Sequence, residues 1–393
     1  VEKLTAAKIE IQNRHLRNLH LMTTTIPHPP LLPKTPWLRT LFEAIISGER
    51  LSEEHALQLL LLKDDEDLQA LWSLADQVRK QRVGDVVYYS STLYLYPTNF
   101  CTYNCTFCSF YAKPGDPKGW YYTPEQLLEQ IAQVHNPITE VHIVAGCTPS
   151  CDLHYYTKLF SLVKHAYPDV HIKALTAIEY AYLESLHNIP VKEILTILKE
   201  AGLDSIPGGG AEILVDKIRD LLAPGRISSA RYLEIHKTAH ELGIPTNSIM
   251  LCYHRETPED IVTHLKLLRE LQDETRGFKN FVILKFANIN NALGRRLKKL
   301  GVPHAISPRT LMAVSRLFLD NFLNLKAMWN YLGIEEALHM LSCGANDLSS
   351  THQGEKVFEM ASLGYPVKLD IEGMANLIQK QGRIPCLTNS KNV

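Results

Sequence analysis

The sequence predicts an α/β fold: a (β/α)8 barrel with an N-terminal helical extension. Three observations carry that prediction. From residue 85 to the C-terminus, strand-like runs alternate with helix-like runs in about eight units. The strand-like runs are nearly continuous apolar stretches, as expected where helices cover them. The polar, Gly-rich and His-rich pieces NFCTYNC, AGCTPSC, PGGGAE, CYHRET, FANINN and GANDLSS follow the strands, where a barrel places its functional rim. A doubly wound open sheet is the competing architecture.

Taken in order, residues 1–35 form an N-terminal extension and a Pro-rich lead-in. Residues 1–21 are polar and helix-compatible, and TTTIPHPPLLPKTP cannot continue a helix. Met22, ahead of that run, raises the side expectation that the first 21 residues are an upstream extension. Residues 36–84 read as a helical segment. PWLRTLFEAIISG ends at Gly48, and LSEEHALQLLLLKDDEDLQALWSLADQVRKQRVG follows with Ser52 as its N-cap. The barrel is assigned to 85–365. VVYYSSTLYLYPTNF is rich in β-branched and aromatic residues and reads as strand. YLYPTNF then leads to TPEQLLEQIAQVH, EVHIVAG to LHYYTKLFSLVKHAYP, and VHIKALTAI to VKEILTILKEAG. LDSIPGGG leads to SSARYLEIHKTAHELG, PTNSIMLC to TPEDIVTHLKLLRELQDET, and FKNFVILKF to SPRTLMAVSRLFLDNF. LKAMWNYLG leads to IEEALHMLSC, and the weak strand GANDLSS to MANLIQKQG. Residues 366–393 are a C-terminal helix and tail.

Composition narrows the partners. The chain has 393 residues, 45% of them hydrophobic, and a formal charge of -1 from 41 basic and 42 acidic side chains. No basic run suggests a nucleic-acid partner. No stretch of about 18 apolar residues suggests a membrane span, and the N-terminus lacks the apolar core of a secretory signal. Cytoplasm is the expected compartment. There, clustered cysteines read as metal ligands or reactive thiols.

Such a cluster exists. Of eight cysteines, Cys101, Cys105 and Cys108 fall within FCTYNCTFC. Three thiolates suit a soft metal but cannot close a tetrahedral shell alone. A zinc site needs a fourth ligand, from Cys147 or a histidine. A four-iron cube takes three cysteines and leaves one iron open. Buried structural cysteines are the plain alternative.

The spacing CxxxCxxC after the first strand, with aromatic Phe107 before the last cysteine, resembles the radical S-adenosylmethionine signature. YPTNFCTYNCTFCSFYAKPGDP, EVHIVAG, HIKALTAIE, LKEAGLDSIPGGGAEI, APGRIS, HKTAHELGIPTNSIMLCYHRETPED, LRELQDETRGF and GANDL together resemble the aminofutalosine synthase family, over about residues 85–350. The resemblance implies that Cys101, Cys105 and Cys108 hold a [4Fe-4S] cluster, with S-adenosyl-L-methionine as cosubstrate and a flavodoxin- or ferredoxin-like electron donor. It implies addition of a 5′-deoxyadenosyl radical to 3-[(1-carboxyvinyl)oxy]benzoate. Attack on the ring, C–O cleavage and loss of the side-chain carboxylate then give 6-amino-6-deoxyfutalosine, on the route to menaquinone. A related cyclase that abstracts hydrogen from a futalosine-like substrate is the alternative within enzymes; a non-enzymatic metal-binding protein is the alternative outside them.

Further residues are placed on the same footing. Ala145 and Gly146 resemble the small segment that lets the methionine end of the cosubstrate approach the backbone; a tight turn explains them equally. Thr176 and Glu179 end the third strand, where Glu179 either binds a ribose hydroxyl or an amino group, or caps a helix. Gly208, Gly209 and Gly210 offer backbone N–H groups to a ligand, and Glu212 is a candidate contact to cosubstrate or substrate. His254 is a candidate donor or proton carrier and Arg255 a candidate clamp on a carboxylate; helix capping is the plain reading of Arg255. Asn288 and Asn291 are weaker candidates. Three segments depart from the family pattern: KFANINNAL, AGCTPSCDLHYY with Cys147 and Cys151, and SSTHQGEK.

Overall fold

The computed structural model describes residues 31–361 and 368–389. The expectations for residues 1–21 and for Met22 lie outside the described residues. Three helices lead in: α1 (Pro36–Ile46), α2 (Glu53–Leu60) and α3 (Asp65–Val83). Each start has a local cause. Pro36 sits in the first turn of α1, where its missing N–H costs nothing. The Ser52 hydroxyl accepts from His55 N at the start of α2, as the sequence predicts. Asp64 accepts from Glu66 N and Asp67 N to start α3.

The chain then enters a barrel of parallel strands wrapped by helices. β1 (Val86–Ser90) and β2 (Thr92–Leu95) are two halves of one first strand, broken at Ser91. After the cysteine loop come α4 (Pro124–Ala132), β3 (Glu140–Ile143), α5 (Leu153–Ala166), β4 (His171–Ala174), α6 (Ala177–His187) and α7 (Val191–Glu200). Next are α8 (Asp216–Leu222), α9 (Ser229–Glu241), β5 (Thr246–Cys252), α10 (Pro258–Thr275), β6 (Phe278–Lys285), α11 (Ala292–Leu300) and α12 (Pro308–Phe318). The chain finishes through β7 (Asn324–Ala327), α13 (Trp329–Leu332), α14 (Ile334–Met340), β8 (Asp347–Ser350), α15 (Val357–Met360), α16 (Ile371–Lys380) and β9 (Ile384–Thr388).

Hydrogen bonding joins the strands into β5-β6-β7-β8-β1-β9 and β2-β3-β4. Two seams close these sheets on each other. On one, Ala174 N donates to Ser205 O and Asn247 N to Ile206 O, so Ser205 and Ile206 stand between β4 and β5. On the other, Gln353 N donates to Thr92 O and Tyr94 N to Gln353 O, tying the chain beyond β8 to β2. These seams close the ring and leave, among the described residues, only β9, outside it beside β1, as an edge, which sets the doubly wound alternative aside. The fourth predicted strand, LDSIPGGG, shrinks to two bridging residues. Pro207 has no N–H to donate, and glycine follows it.

The strands differ from the predicted continuous apolar runs in one respect. Thr92 and Glu140 are in register, as are Tyr94, His142 and Lys173. Lys326 and Asp347 are also in register. Polar and charged side chains therefore occupy part of the lumen, while alternate residues such as Leu93, Leu95, Val141 and Ile143 are buried in the hydrophobic core. Outside the barrel, α3 packs on α12, and α2 packs on α10 and α12. Arg50 ties this layer to the barrel through Asp273 at 2.8 Å and Asp320 at 2.6 Å. β9, which the pattern does not predict, adds a parallel strand beside β1.

Candidate active site

The loop from Phe100 to Ala112 starts where β2 delivers the chain to the rim of the barrel. Its backbone is fixed from several sides. Cys101 N donates to Ala112 O at 3.1 Å, Thr102 N to Cys147 O at 2.8 Å, and Thr106 N to Leu222 O at 2.7 Å. Buried Asn99 holds the returning arm through Phe110 O and Lys118 O. Lys113 turns its ammonium under the loop and donates to Cys101 O at 2.7 Å, Thr102 O at 3.0 Å and Tyr103 O at 3.1 Å. An ammonium has three N–H bonds, and here all are satisfied by consecutive loop carbonyls.

The three thiols do not share one electrostatic setting. A hydrogen bond from the Cys147 thiol holds Cys101 down to about 6, and Cys147, as donor, is pushed well up. Burial pushes Cys105 up to about 12 and also raises Cys108. A positive partner offsets such burial, and Arg226 supplies one. Its guanidinium lies 5.8 Å from the Tyr103 ring and 5.6 Å from the Phe107 ring, donates to Glu212 Oε1 at 3.1 Å, and favours the thiolate at all three cysteines. Its Nε is buried without a hydrogen-bond partner.

Among the described residues, no three His, Cys, Asp or Glu side chains are arranged to hold a metal ion. A four-iron cluster is held by cysteine thiolates, which a loop with three cysteines can supply. Here Cys101 and Cys108 line the cavity and Cys105 is buried in the same loop, with the Arg226 cation favouring the thiolate at all three. Cys101, Cys105 and Cys108 would hold that cluster.

Below the loop a cavity of about 310 Å³ runs into the lumen. Cys101, Cys108, Ala145, Gly146, Thr176, Glu179, Gly208, Gly209, Gly210 and Glu212 all line it, so most of the expected site converges. Several of these residues also have plain structural causes. Both Glu179 oxygens accept from backbone: Oε1 from Ala145 N at 2.8 Å, Oε2 from Thr176 N at 2.7 Å. That joins the end of β3 to the first turn of α6, while burial pushes the Glu179 carboxyl up to about 7. At Gly208 a Cβ would meet the Ser248 backbone at 2.7 Å, and at Gly209 the Thr176 methyl at 2.7 Å. Gly210 has φ +95, a conformation glycine adopts without penalty. The glycines thus allow strand and helix to approach the lumen closely. Glu212 anchors Arg226 and lies 3.9 Å from Arg219 Nη1.

His254 and Arg255 are not brought to the cavity. His254 is fully buried, with Nδ1 3.0 Å from Glu256 Oε2. Glu256 also accepts from His254 N at 2.9 Å, from Tyr253 N, and from His304 Nε2 at 2.9 Å. His254 thus belongs to a network that fixes the turn after β5, which Arg255 enters only through its backbone N–H, donating to His254 Nδ1 at 2.6 Å. Asn288 lines a separate cavity of about 360 Å³ with Tyr253 and Lys285. Asn291 caps α11 by accepting from Gly294 N at 2.7 Å. Cys151 is buried, and none of the eight cysteines forms a disulfide; the Cys147 thiol acts on Cys101, whose thiolate it favours.

Sequence reasoning missed Arg226, Lys113 and the lumen residues His142, Lys173 and Lys326, although Arg226, His142, Lys173 and Lys326 all line the cavity. The signal was present: a charged residue in the middle of a buried strand, as in HIKAL or LKAMW, needs a reason.

Comparison with known proteins agrees with this geometry. Residues 95–268 match the radical SAM superfamily, and residues 275–392 match the CofH/MqnC C-terminal region. Aminodeoxyfutalosine synthase of Thermus thermophilus is 38% identical over 353 residues, 90% of this chain and 94% of the relative. The 5-amino-6-(D-ribitylamino)uracil–L-tyrosine 4-hydroxyphenyl transferase of Methanoculleus marisnigri is 34% identical over 354 residues, 89% of this chain and 95% of the relative. In fold, methylornithine synthase superposes with TM-score 0.70 at 18% identity, covering 89% of this chain and 98% of that chain. The hydrogenase maturase HydG of Carboxydothermus hydrogenoformans gives 0.66 at 15% identity, over 97% and 85% respectively. The cysteine loop, the closed lumen beneath it and these relatives agree: the chain is an S-adenosylmethionine-dependent enzyme of the radical SAM superfamily, in the branch with a CofH/MqnC-type C-terminal region.

Proposed function

We propose that this enzyme joins the 5′-deoxyadenosyl group of S-adenosylmethionine to 3-[(1-carboxyvinyl)oxy]benzoate, with decarboxylation, to give 6-amino-6-deoxyfutalosine. The observation that carries this reading is the 38% identity to an aminodeoxyfutalosine synthase along 90% of the chain. A lumen with two lysine side chains, suited to an anionic substrate, supports it. When bound, the cluster supplies the electron that cleaves the sulfonium of S-adenosylmethionine.

The chain's own groups do the remaining work. Cys101, Cys105 and Cys108 bind the cluster, and Lys113 keeps their loop in shape. Arg226 offsets the negative charge of the thiolates. The Ala145–Gly146 backbone and the Gly208–Gly210 turn bound the space for the cosubstrate, with Glu179 and Thr176 beside it. The closed barrel excludes water from a reactive species. Transfer of a 4-hydroxyphenyl group to a ribitylaminouracil is the second reading, because transferases of that kind match 89% of this chain.

The test uses cluster-reconstituted protein without oxygen, with a reductant and S-adenosylmethionine. One arm receives the enolpyruvyl benzoate; the other receives L-tyrosine and the ribitylaminouracil. A decarboxylated adduct carrying the adenosyl mass is expected in the first arm. Free 5′-deoxyadenosine with the benzoate intact would refute the proposal, and product in the second arm would replace it.

A further inference from the structure

The floor of the lumen holds groups that the cysteine loop does not use. His142, on β3, lies in register between Tyr94 of β2 and Lys173 of β4. Its ring is 4.8 Å from the Tyr94 ring at 26°, and it lines the cavity. No described residue hydrogen-bonds either ring nitrogen. Burial, then the charge of Lys173, holds its pKa down to about 3, with Lys326 adding to the effect and Glu140 opposing it. The ring is therefore neutral, with one N–H to donate and one nitrogen to accept.

Two cations stand behind it. Lys173 Nζ is 2.6 Å from Glu140 Oε1, and Thr92 Oγ1 donates to that same oxygen at 3.1 Å. Lys326 Nζ is 3.3 Å from Asp347 Oδ2. Each ammonium has three N–H bonds, and each of these pairings uses one. Both lysines line the cavity. The balance of charge at His142 disfavours a proton there even with Glu140 counted. At the Tyr94 hydroxyl, burial, Glu355 and Glu140 disfavour an anion, so the lysine side of the imidazole is where an anion is favoured. The walls above are flat: Tyr94 and Tyr96 stack at 6.3 Å and 16°, with Phe110 5.2 Å from Tyr96.

We infer that this floor is the subsite for a carboxylate borne on an aromatic ring. The carboxylate accepts from the His142 N–H and from the remaining N–H bonds of Lys173 and Lys326. The ring lies along Tyr94 and Tyr96, and the rest of the molecule points up toward the cysteine loop. The inference deepens the proposed function and rests on its reading of the substrate as an aryl carboxylate.

Binding tests it without turnover. Benzoate and 3-hydroxybenzoate are titrated calorimetrically into cluster-reconstituted protein, with benzyl alcohol and p-cresol as neutral controls. His142→Ala is expected to weaken carboxylate binding about tenfold, the size of one hydrogen bond to a charged group, and to leave the neutral controls unchanged. His142→Gln, which keeps a donor, is expected to recover most of the loss. Lys326→Gln gives a second reading on a separate strand, with thermal melting to confirm folding. Undetectable benzoate binding, unchanged binding in folded His142→Ala, or equal losses for benzoate and benzyl alcohol would overturn the inference. So would a His142-dependent preference for p-cresol. If benzoate binding depends on His142 yet no adenosyl adduct forms, the subsite stands and the proposed reaction falls.

Discussion

Gly146 packs against the cysteine loop so closely that a Cβ there would collide with the Phe100 carbonyl and come within 3.0 Å of the Cys101 side chain. Neither neighbour yields easily, since one is backbone and the other the side chain proposed to hold the cluster. Gly146→Ala is expected to cost about 1–3 kcal/mol by overpacking and to displace Cys101. Loss of visible cluster absorption with a retained far-UV spectrum would show it; normal iron content would refute it. Cys105→Ser is expected to abolish reductive cleavage of S-adenosylmethionine while the barrel stays folded, and full cleavage would remove Cys105 from the ligand set. Glu179 makes a pH prediction. Its carboxyl is raised to about 7 from an ordinary 4.5, so the native state binds more protons than the unfolded one between those values. Its contribution to stability is complete below about pH 4.5 and is lost as pH rises toward 7. In cluster-free protein, the stability of wild type relative to Glu179→Gln is expected to fall by about 2–3 kcal/mol across that window. Chemical denaturation at several pH values checks this, and a flat difference would refute it.

Helix starts and strand ends carry the next level of control. Asn291 caps α11, and its Nδ2 reaches Ala287 O and Ile289 O at 2.8 Å and Ser109 Oγ at 3.3 Å, beside Cys108. Asn291→Ala is expected to destabilise by about 1–2 kcal/mol, measured by urea unfolding, as loss of a helix cap does. The cap of α2 is legible from residue type, with Ser52 starting it as expected; Thr123 and Gln126 add a capping box at α4 that was not read from the sequence. The cysteine loop and the glycine turn were legible because their spacing is chemical. His254 was misplaced for a physical reason. A histidine after a strand reads as rim chemistry, but its partner Glu256, two residues on, takes it out of the cavity. His142 and Lys326 went unread for the converse reason, since strand periodicity reports which face a side chain occupies and not what it meets across a closed lumen.

The barrel as a whole was predictable because strand and helix alternate along most of the chain, and parallel strands with covering helices leave few arrangements. Its closure was less so. Ser205 and Ile206 are too short to read as a strand, and β9 returns from beyond the last helix to pair with β1 in register, Val86 with Ile384 through Ser90 with Thr388. Arg383 fastens that return to Asp76 and Asp85 at 2.8 Å each. Ending the chain before Arg383 is expected to expose β1 as an edge and promote association; light scattering would register it, and an unchanged monodisperse profile would refute it. The grip of Lys113 on three consecutive carbonyls has a consequence for charge. Its ammonium sits against the backbone of the loop that carries Cys101, so a positive charge adjoins the thiolates without touching a sulfur.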